Sequence, residues 1–172
     1  MTEQLKYVCQ ILNKHQVKYL IVGGSAVINY GYIRLTKNNK NEESDRPDID
    51  VWFEPTYTNY LKNLCNSLED LGLDGDIYRK GSTNIKRCFI SESFDDFNLD
   101  FLPELENFPK TFVDCYSNRT ISNDDIKIPY ISLEDLILSK EISNRPKDIE
   151  DIIELKKILK SQKHIINRFK DF

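Results

Sequence analysis

The chain has 172 residues, 40% of them hydrophobic and 30% charged, which is the composition of an ordinary globular protein. At this length roughly 70% of the unfolded surface becomes buried on folding, so the core needs no disulfide or structural metal. The net charge of −4 argues against a protein that coats nucleic acid, and no apolar run approaches the ~20 residues of a membrane span.

Cysteine and histidine usage favours a cytoplasmic protein with free thiols. The four cysteines are scattered without a C-x-x-C pair and there are two histidines, so a zinc site is not expected. The first residues lack the basic and apolar segments of a secretory signal. We therefore expect reduced cysteines, a cytoplasmic location and no membrane segment.

Hydrophobic periodicity divides the chain into helices and strands. Helices are predicted over 3–15, 25–32, 58–71 and 132–142, and from 146 onward in two pieces, the second ending near 169. Strands are predicted over 18–22, 49–53, 77–79, 85–91, 97–102, 111–116 and 126–131. Ser25 and Ser132 stand where side chains cap helix starts, and the polar stretch 37–47 is a predicted loop.

This order of elements predicts the α+β fold class, with a mixed β-sheet flanked by helices and a helical C-terminal part. We expect a core over residues 1–131 and a helical extension over 132–172 that packs on it.

Two acids, Asp48 and Asp50, lie at the start of the predicted strand in RPDIDVWF. Side chains two apart on a strand share a face, so the carboxylates lie on one side, roughly 7 Å apart. Like charges held together favour a hard cation such as Mg²⁺. Asp100, in NLDFLP, follows the same alternation on a later strand, and three carboxylates suit a two-metal site for nucleotidyl transfer. The alternative for each acid is a solvated strand end without a ligand.

A double glycine, Gly23 and Gly24, follows the first predicted strand and is followed by Ser25 and a helix. Backbone N–H groups at such a turn can bind phosphate, and glycine lets the chain approach the anion closely. Taken alone, the motif is more often a plain tight turn. Its occurrence ahead of Asp-x-Asp and a later strand aspartate, all within about 80 residues, favours a site for a polyphosphate and its metal ions.

These segments, IVGGSAVINYG, RPDIDVWF and NLDFLP, resemble the nucleotidyltransferase superfamily with the DNA polymerase β-like fold. The resemblance covers roughly residues 18–160. It is nearest to small bacterial members, namely antibiotic nucleotidyltransferases and the toxins of AbiE-type toxin–antitoxin systems. The C-terminal DLILSKEISNRPKDIEDIIELKKI is similar to the same group, in which a lysine-bearing helix is followed by Arg-x-Lys-Asp.

The resemblance implies an enzyme that moves an NMP from an NTP such as ATP to an acceptor hydroxyl and releases pyrophosphate. It implies that Asp48 and Asp50 bridge two Mg²⁺ ions. Asp100 would join one metal ion and orient or deprotonate the acceptor. Residues 23–25, and above all Gly24 and Ser25, would bind the terminal phosphates.

Basic residues complete the implied site. Lys140 would pair with the triphosphate, its alternative being a solvated helix lysine, and Arg145 and Lys147 could also face the cleft. Many relatives carry an arginine shortly before the first aspartate. Here either Arg34, separated from the aspartates by the loop, or Arg46 would take that place.

The acceptor is not evident from the sequence, and a small molecule, an RNA end and a protein side chain all fit. The implied partners are the NTP and this acceptor, and an antitoxin protein or RNA if the enzyme is a toxin. The short chain could also complete its acceptor site as a homodimer. The alternative function is a nucleotide- or nucleic-acid-binding module that has kept the fold without turnover.

Overall fold

The computed structural model describes residues 2–33, 36–37, 43–44, 46–81 and 84–170, with the backbone alone at 36–37, 43–44 and 165–170. The α-helices are α1 Glu3–Lys14, α2 Gly23–Asn29, α3 Cys65–Asp70, α4 Gly75–Gly81, α5 Phe112–Ser117, α6 Leu133–Ser143 and α7 Pro146–Lys170. A π-helical segment, Thr58–Leu64, leads into α3, and a 3₁₀ turn spans Ile85–Arg87. The strands are β1 Tyr19–Ile21, β2 Thr36–Lys37, β3 Glu43–Ser44, β4 Asp48–Phe53, β5 Ile90–Ser93, β6 Asn98–Leu102, β7 Thr120–Ile121 and β8 Pro129–Tyr130.

The main sheet has six strands in the order β5-β6-β4-β1-β8-β7, and β2 pairs with β3 in a separate antiparallel hairpin. Strand β4 lies near the centre, antiparallel to β1 and parallel to β6. Together with the surrounding helices, this mixed sheet confirms the predicted α+β fold class.

Alternation along β4 sets which side chains enter the core. Ile49, Val51 and Phe53 are fully buried, whereas Asp48 and Asp50 remain half-buried on the other face. Trp52 is also buried, and its ring meets those of Phe108 and Phe112 edge-on at centroid distances of 6.0 Å and 5.4 Å.

The C-terminal helices share the core of the sheet. Leu136 on α6 and Leu155 on α7 are fully buried within the same hydrophobic cluster as the strands. Ser132 caps α6 as expected, its hydroxyl accepting a hydrogen bond from the backbone N–H of Asp135 at 3.1 Å. This packing fixes α6 beside the first turn after β1, where the candidate site residues lie.

Two predicted strands are wrong. Residues 77–79 lie in α4, because the Asp74 carboxylate accepts hydrogen bonds from the N–H groups of Asp76 and Ile77 and starts a helix. Residues 112–116 lie in α5, which follows Thr111 because Thr111 and Asp114 make a reciprocal capping box. The β-branched and aromatic residues of both segments had favoured strands.

Helix starts and ends also differ from expectation. Helix α2 begins at Gly23 with Val22 at its N-cap, so Ser25 is not a cap. Residues 146–170 form one continuous helix rather than two pieces. Among the described helices, none combines the length and apolarity needed to cross a membrane. All four cysteines are free thiols.

Candidate active site

Parallel pairing of β4 with β6 brings the predicted acids together. Asp50 is the register partner of Asp100, and Asp48 is the partner of Asn98. Neighbouring strands lie about 4.8 Å apart, so Asp50 and Asp100 are adjacent across the ladder although 50 residues separate them in the chain. Both side chains are half-buried and line one cavity together with Asp48.

The glycine turn lies directly against Asp50. Gly23 has a φ of +60°, and a Cβ built on it would lie 1.9 Å from Oδ2 of Asp50. The N–H of Val22 also donates to the carbonyl oxygen of Asp50 at 3.0 Å. Glycine is therefore required at position 23 both for its backbone conformation and for the close approach to the carboxylate.

Hydrogen bonds fix the first aspartate from two sides. The Ser25 hydroxyl donates to the backbone carbonyl of Asp48 at 3.2 Å, which ties α2 to β4. The Asn98 amide donates to Oδ1 of Asp48 at 2.9 Å, and the Ser93 hydroxyl donates to Oδ1 of Asn98 at 3.0 Å. This chain from β5 through β6 to β4 holds the Asp48 carboxylate in one orientation.

The cavity that these residues line has a volume of about 680 Å³, which falls within the range of small-molecule sites. Gly24 and Ser25 line it beside Gly23. The structure thus brings residues 23–25 of the glycine turn and all three predicted aspartates to one cavity.

Burial, followed by the negative charges of Asp100 and Asp48, raises the pKa of Asp50 to about 6. The positive charges of Arg145 and Lys140 oppose this rise without cancelling it. The charged form of Asp50 is therefore disfavoured at this position, and an additional cation in the pocket would stabilise it.

Lys140 lies at the cavity wall inside a buried ion network. Its Nζ is 2.9 Å from Oδ1 of Asp148 and 2.7 Å from Oδ2 of Asp151, and all three residues are almost fully buried. Two carboxylates already compensate the charge of Lys140. Its predicted role as a triphosphate ligand stays a prediction. The alternative of a solvated helix lysine is wrong.

Asp148 connects this network to the cavity. Although burial opposes its charged form, hydrogen bonds from Arg145 and Ser143 and the charge of Lys140 hold the pKa of Asp148 below its ordinary value. The Arg145 Nε donates to Oδ2 of Asp148 at 2.7 Å, and the half-exposed Arg145 side chain lines the cavity. Lys147 lines it as well, so both cations of Arg-x-Lys-Asp face the acids.

The sequence offers two candidate arginines in the N-terminal half, Arg34 and Arg46. Arg34 lies outside the described residues. Arg46 is exposed and donates a hydrogen bond to the carbonyl of Phe94, and it is not among the described residues that line the cavity. A role for either arginine stays a prediction.

A family model described as "Nucleotidyltransferase of unknown function (DUF6036)" matches residues 2–162. The chain belongs to this nucleotidyltransferase family. The crystal structure of an antigenic nucleotidyltransferase-like protein from Paracoccidioides brasiliensis is similar over 96% of this chain and 86% of that chain, with a TM-score of 0.52. At 14% identity that likeness shows the fold alone. No curated protein matches the chain.

Two carboxylates of this DUF6036 chain, those of Asp50 and Asp100, are suitable ligands for a magnesium ion. Within the part of the chain that the structure describes, no group of three or more His, Cys, Asp or Glu side chains is arranged to hold a metal ion. Mg²⁺ in nucleotide sites, however, is bound through one or two carboxylates, with phosphate oxygens and waters supplying the rest. Adjacent Asp50 and Asp100, beside a cavity large enough for phosphates, meet that requirement.

Sequence reasoning missed two features of the candidate site. Asn98 precedes Asp100 by two residues, so the same alternation that selected the acids places it on their face. Pairing of Lys140 with Asp148 and Asp151 depends on the turn between α6 and α7, where Asn144 takes a φ of +44°. No periodic pattern indicated that contact.

Proposed function

We propose that this protein is a Mg²⁺-dependent nucleotidyltransferase that transfers an NMP from an NTP to an acceptor hydroxyl and releases pyrophosphate. The observation that carries the proposal is the adjacency of Asp50 and Asp100 on parallel strands, in a cavity that residues 23–25 also line. Membership of a nucleotidyltransferase family supports the same reaction class.

The site residues have distinct proposed roles. Asp50 and Asp100 would hold the metal ion, and Asp48, which lines the same cavity, would be a further ligand for it or for a second ion. The bound metal would supply the positive charge that stabilises the transferring phosphate. Asn98 keeps the Asp48 carboxylate in place through its amide. Gly23 lets the turn approach Asp50, and Gly24, Ser25 and the cations of Arg145 and Lys147 contact the polyphosphate.

Asp100 also takes up the proton of the acceptor hydroxyl. A new bond forms between the acceptor oxygen and the α-phosphorus, and the bond from that phosphorus to the oxygen leading to the β-phosphate breaks. Pyrophosphate leaves with the electrons of that bond, and the proton passes from Asp100 to water.

The test is transfer of label from α-³²P-labelled NTPs in the presence of Mg²⁺ and a broad acceptor panel. Asp50→Asn and Asp100→Asn should each lower transfer by at least about 100-fold, since a metal ligand is lost. Asp95→Asn, a change of the same kind at an exposed site next to β5, is the matched control and should leave transfer unchanged.

A non-catalytic nucleotide-binding module would give a different result. Wild-type protein would then bind NTP without labelling any acceptor, and the binding would persist without Mg²⁺ and in Asp50→Asn. That combination would replace the proposed enzyme with a sensor.

A further inference from the structure

A second cavity of about 490 Å³ adjoins the first at the acids. The two cavities share part of their lining, namely Gly23, Asp50, Asp100, Lys140 and Arg145. The glycine-turn residues Gly24 and Ser25 line the first cavity and not the second. The paired acids therefore border two cavities, one with Gly24 and Ser25 in its lining and one without them, and Gly23 lies in the wall of both.

Nucleotidyl transfer requires two such sides. The attacking oxygen and the leaving pyrophosphate lie roughly in line on opposite sides of the α-phosphorus. If the polyphosphate contacts Gly24 and Ser25, the acceptor hydroxyl must approach the α-phosphorus from the side opposite the leaving pyrophosphate. The second cavity borders the same acids without Gly24 or Ser25 in its lining, and it has Asp100, the proposed proton acceptor, in its wall.

The lining of the second cavity is apolar and acidic. Its apolar residues are Val22, Phe89, Leu102, Leu105, Phe108 and Ile142. Phe89 is 55% exposed, so an aromatic face is available to a ligand. The charged residues that line this cavity but not the first are both glutamates, Glu104 and Glu106, and both are exposed.

The cations that the second cavity shares with the first do not reverse this charge. Lys140 pairs with Asp148 and Asp151, and Arg145 pairs with Asp148, so two positive and two negative charges cancel within that network. Asp50 and Asp100 would share their charge with the metal ion, so Glu104 and Glu106 set the charge of the remaining wall. Such a wall repels the phosphates of an RNA end and attracts a cation, which aromatic faces also bind.

We infer that the second cavity is the acceptor site and that the acceptor is a small molecule carrying a hydroxyl group, a positive charge and an apolar part. This inference rests on the proposed nucleotidyl transfer and selects among its acceptor classes. In the reaction, the hydroxyl oxygen bonds to the α-phosphorus while the bond from that phosphorus to the oxygen leading to the β-phosphate breaks. Pyrophosphate leaves on the side of Gly24 and Ser25, and Asp100 takes the proton.

Acceptors that differ only in charge provide the test. Choline and 3,3-dimethylbutan-1-ol have the same shape and the same hydroxyl, and glucosamine and glucose form a second pair. The full chain is incubated with α-³²P-labelled NTPs, Mg²⁺ and each compound, with a 3′-hydroxyl RNA oligonucleotide and an unlabelled protein mixture alongside. The cationic member of at least one pair should be labelled about tenfold faster than its neutral partner.

Variants of the cavity wall locate the effect. The double change Glu104→Gln and Glu106→Gln should raise the KM for the cationic acceptor about tenfold, and leave the KM for NTP unchanged. Glu134→Gln, at an exposed glutamate on α6, is the matched control and should change neither KM.

Several results would overturn the inference. Equal labelling of charged and neutral partners, or label on RNA or protein instead, would exclude a cationic small acceptor, and the latter would favour a toxin. Wild-type protein that binds NTP with Mg²⁺ in equilibrium dialysis but labels no compound would also overturn it. Failure to bind NTP at all would instead refute the proposed function on which the inference depends.

Discussion

Replacing Asp50 with asparagine should stabilise the protein while it abolishes nucleotidyl transfer. The pKa of Asp50 is raised from its ordinary value of 3.8 to about 6, so its charged form is disfavoured in the folded state. About two pH units correspond to about 3 kcal/mol of free energy at neutral pH. Asparagine has the same shape and no charge, but its amide needs hydrogen-bond partners, so we expect a net gain of about 1–3 kcal/mol.

The gain should depend on pH in a defined direction. Above pH 6 wild-type Asp50 is charged in both the folded and the unfolded state. The folded state then bears the full free-energy cost of the buried charge. As the pH falls from 6 towards 3.8, the folded protein takes up its proton first and the cost disappears. Asp50→Asn should therefore exceed wild type in stability at pH 7.5 and match it near pH 4.

Thermal unfolding followed by circular dichroism measures the difference. In a chain of this size each kcal/mol shifts the Tm by about 2–4 °C, so the variant should melt about 2–12 °C higher at pH 7.5. Asp95→Asn, at its exposed position, should not shift the Tm at either pH. A variant that is less stable than wild type, or a gain that is equal at both pH values, would refute the argument that burial disfavours the charged form of Asp50.

Three further changes test other parts of the site. Gly23→Ala should abolish transfer in the labelling assay, because its Cβ would lie 1.9 Å from a carboxylate oxygen. Gly72→Ala, which has a φ of +85° but open space, should cost about 1–2 kcal/mol in urea unfolding and keep full transfer. Lys140→Met should destabilise the protein by about 3–5 kcal/mol in the same assay, since two buried carboxylates lose their cation; a loss below about 1 kcal/mol would contradict the network. Asn98→Ala should raise the Mg²⁺ concentration for half-maximal transfer about tenfold, as it frees the Asp48 carboxylate, and an unchanged requirement would remove Asn98 from the site.

Alternation made the acids of the site predictable. Asp48 and Asp50 alternate with buried apolar residues along β4, and Asp100 alternates with buried apolar residues along β6. That pattern fixed the face of each carboxylate but not the pairing of β4 with β6. The register that makes Asp50 and Asp100 neighbours comes from tertiary packing.

Local hydrogen bonds explain the helix and helix cap that were predicted wrongly. Thr111 and Asp114 form a capping box at the start of α5, a helix signal that the strand prediction over 111–116 did not use. Ser25 has the residue type of a cap, but the helix starts at Gly23 and the serine hydroxyl donates to β4 instead. The environment of Lys140 depended on two helices meeting, which no local pattern encodes.

A crystal structure with a nonhydrolysable NTP and Mn²⁺ in place of Mg²⁺ would test the central claim most directly. Anomalous scattering locates Mn²⁺ independently of the protein coordinates. We predict a manganese peak in contact with the carboxylates of Asp50 and Asp100, with the terminal phosphates against residues 23–25. A nucleotide bound elsewhere, or bound at this turn with the metal ion away from both aspartates, would contradict the proposed active site.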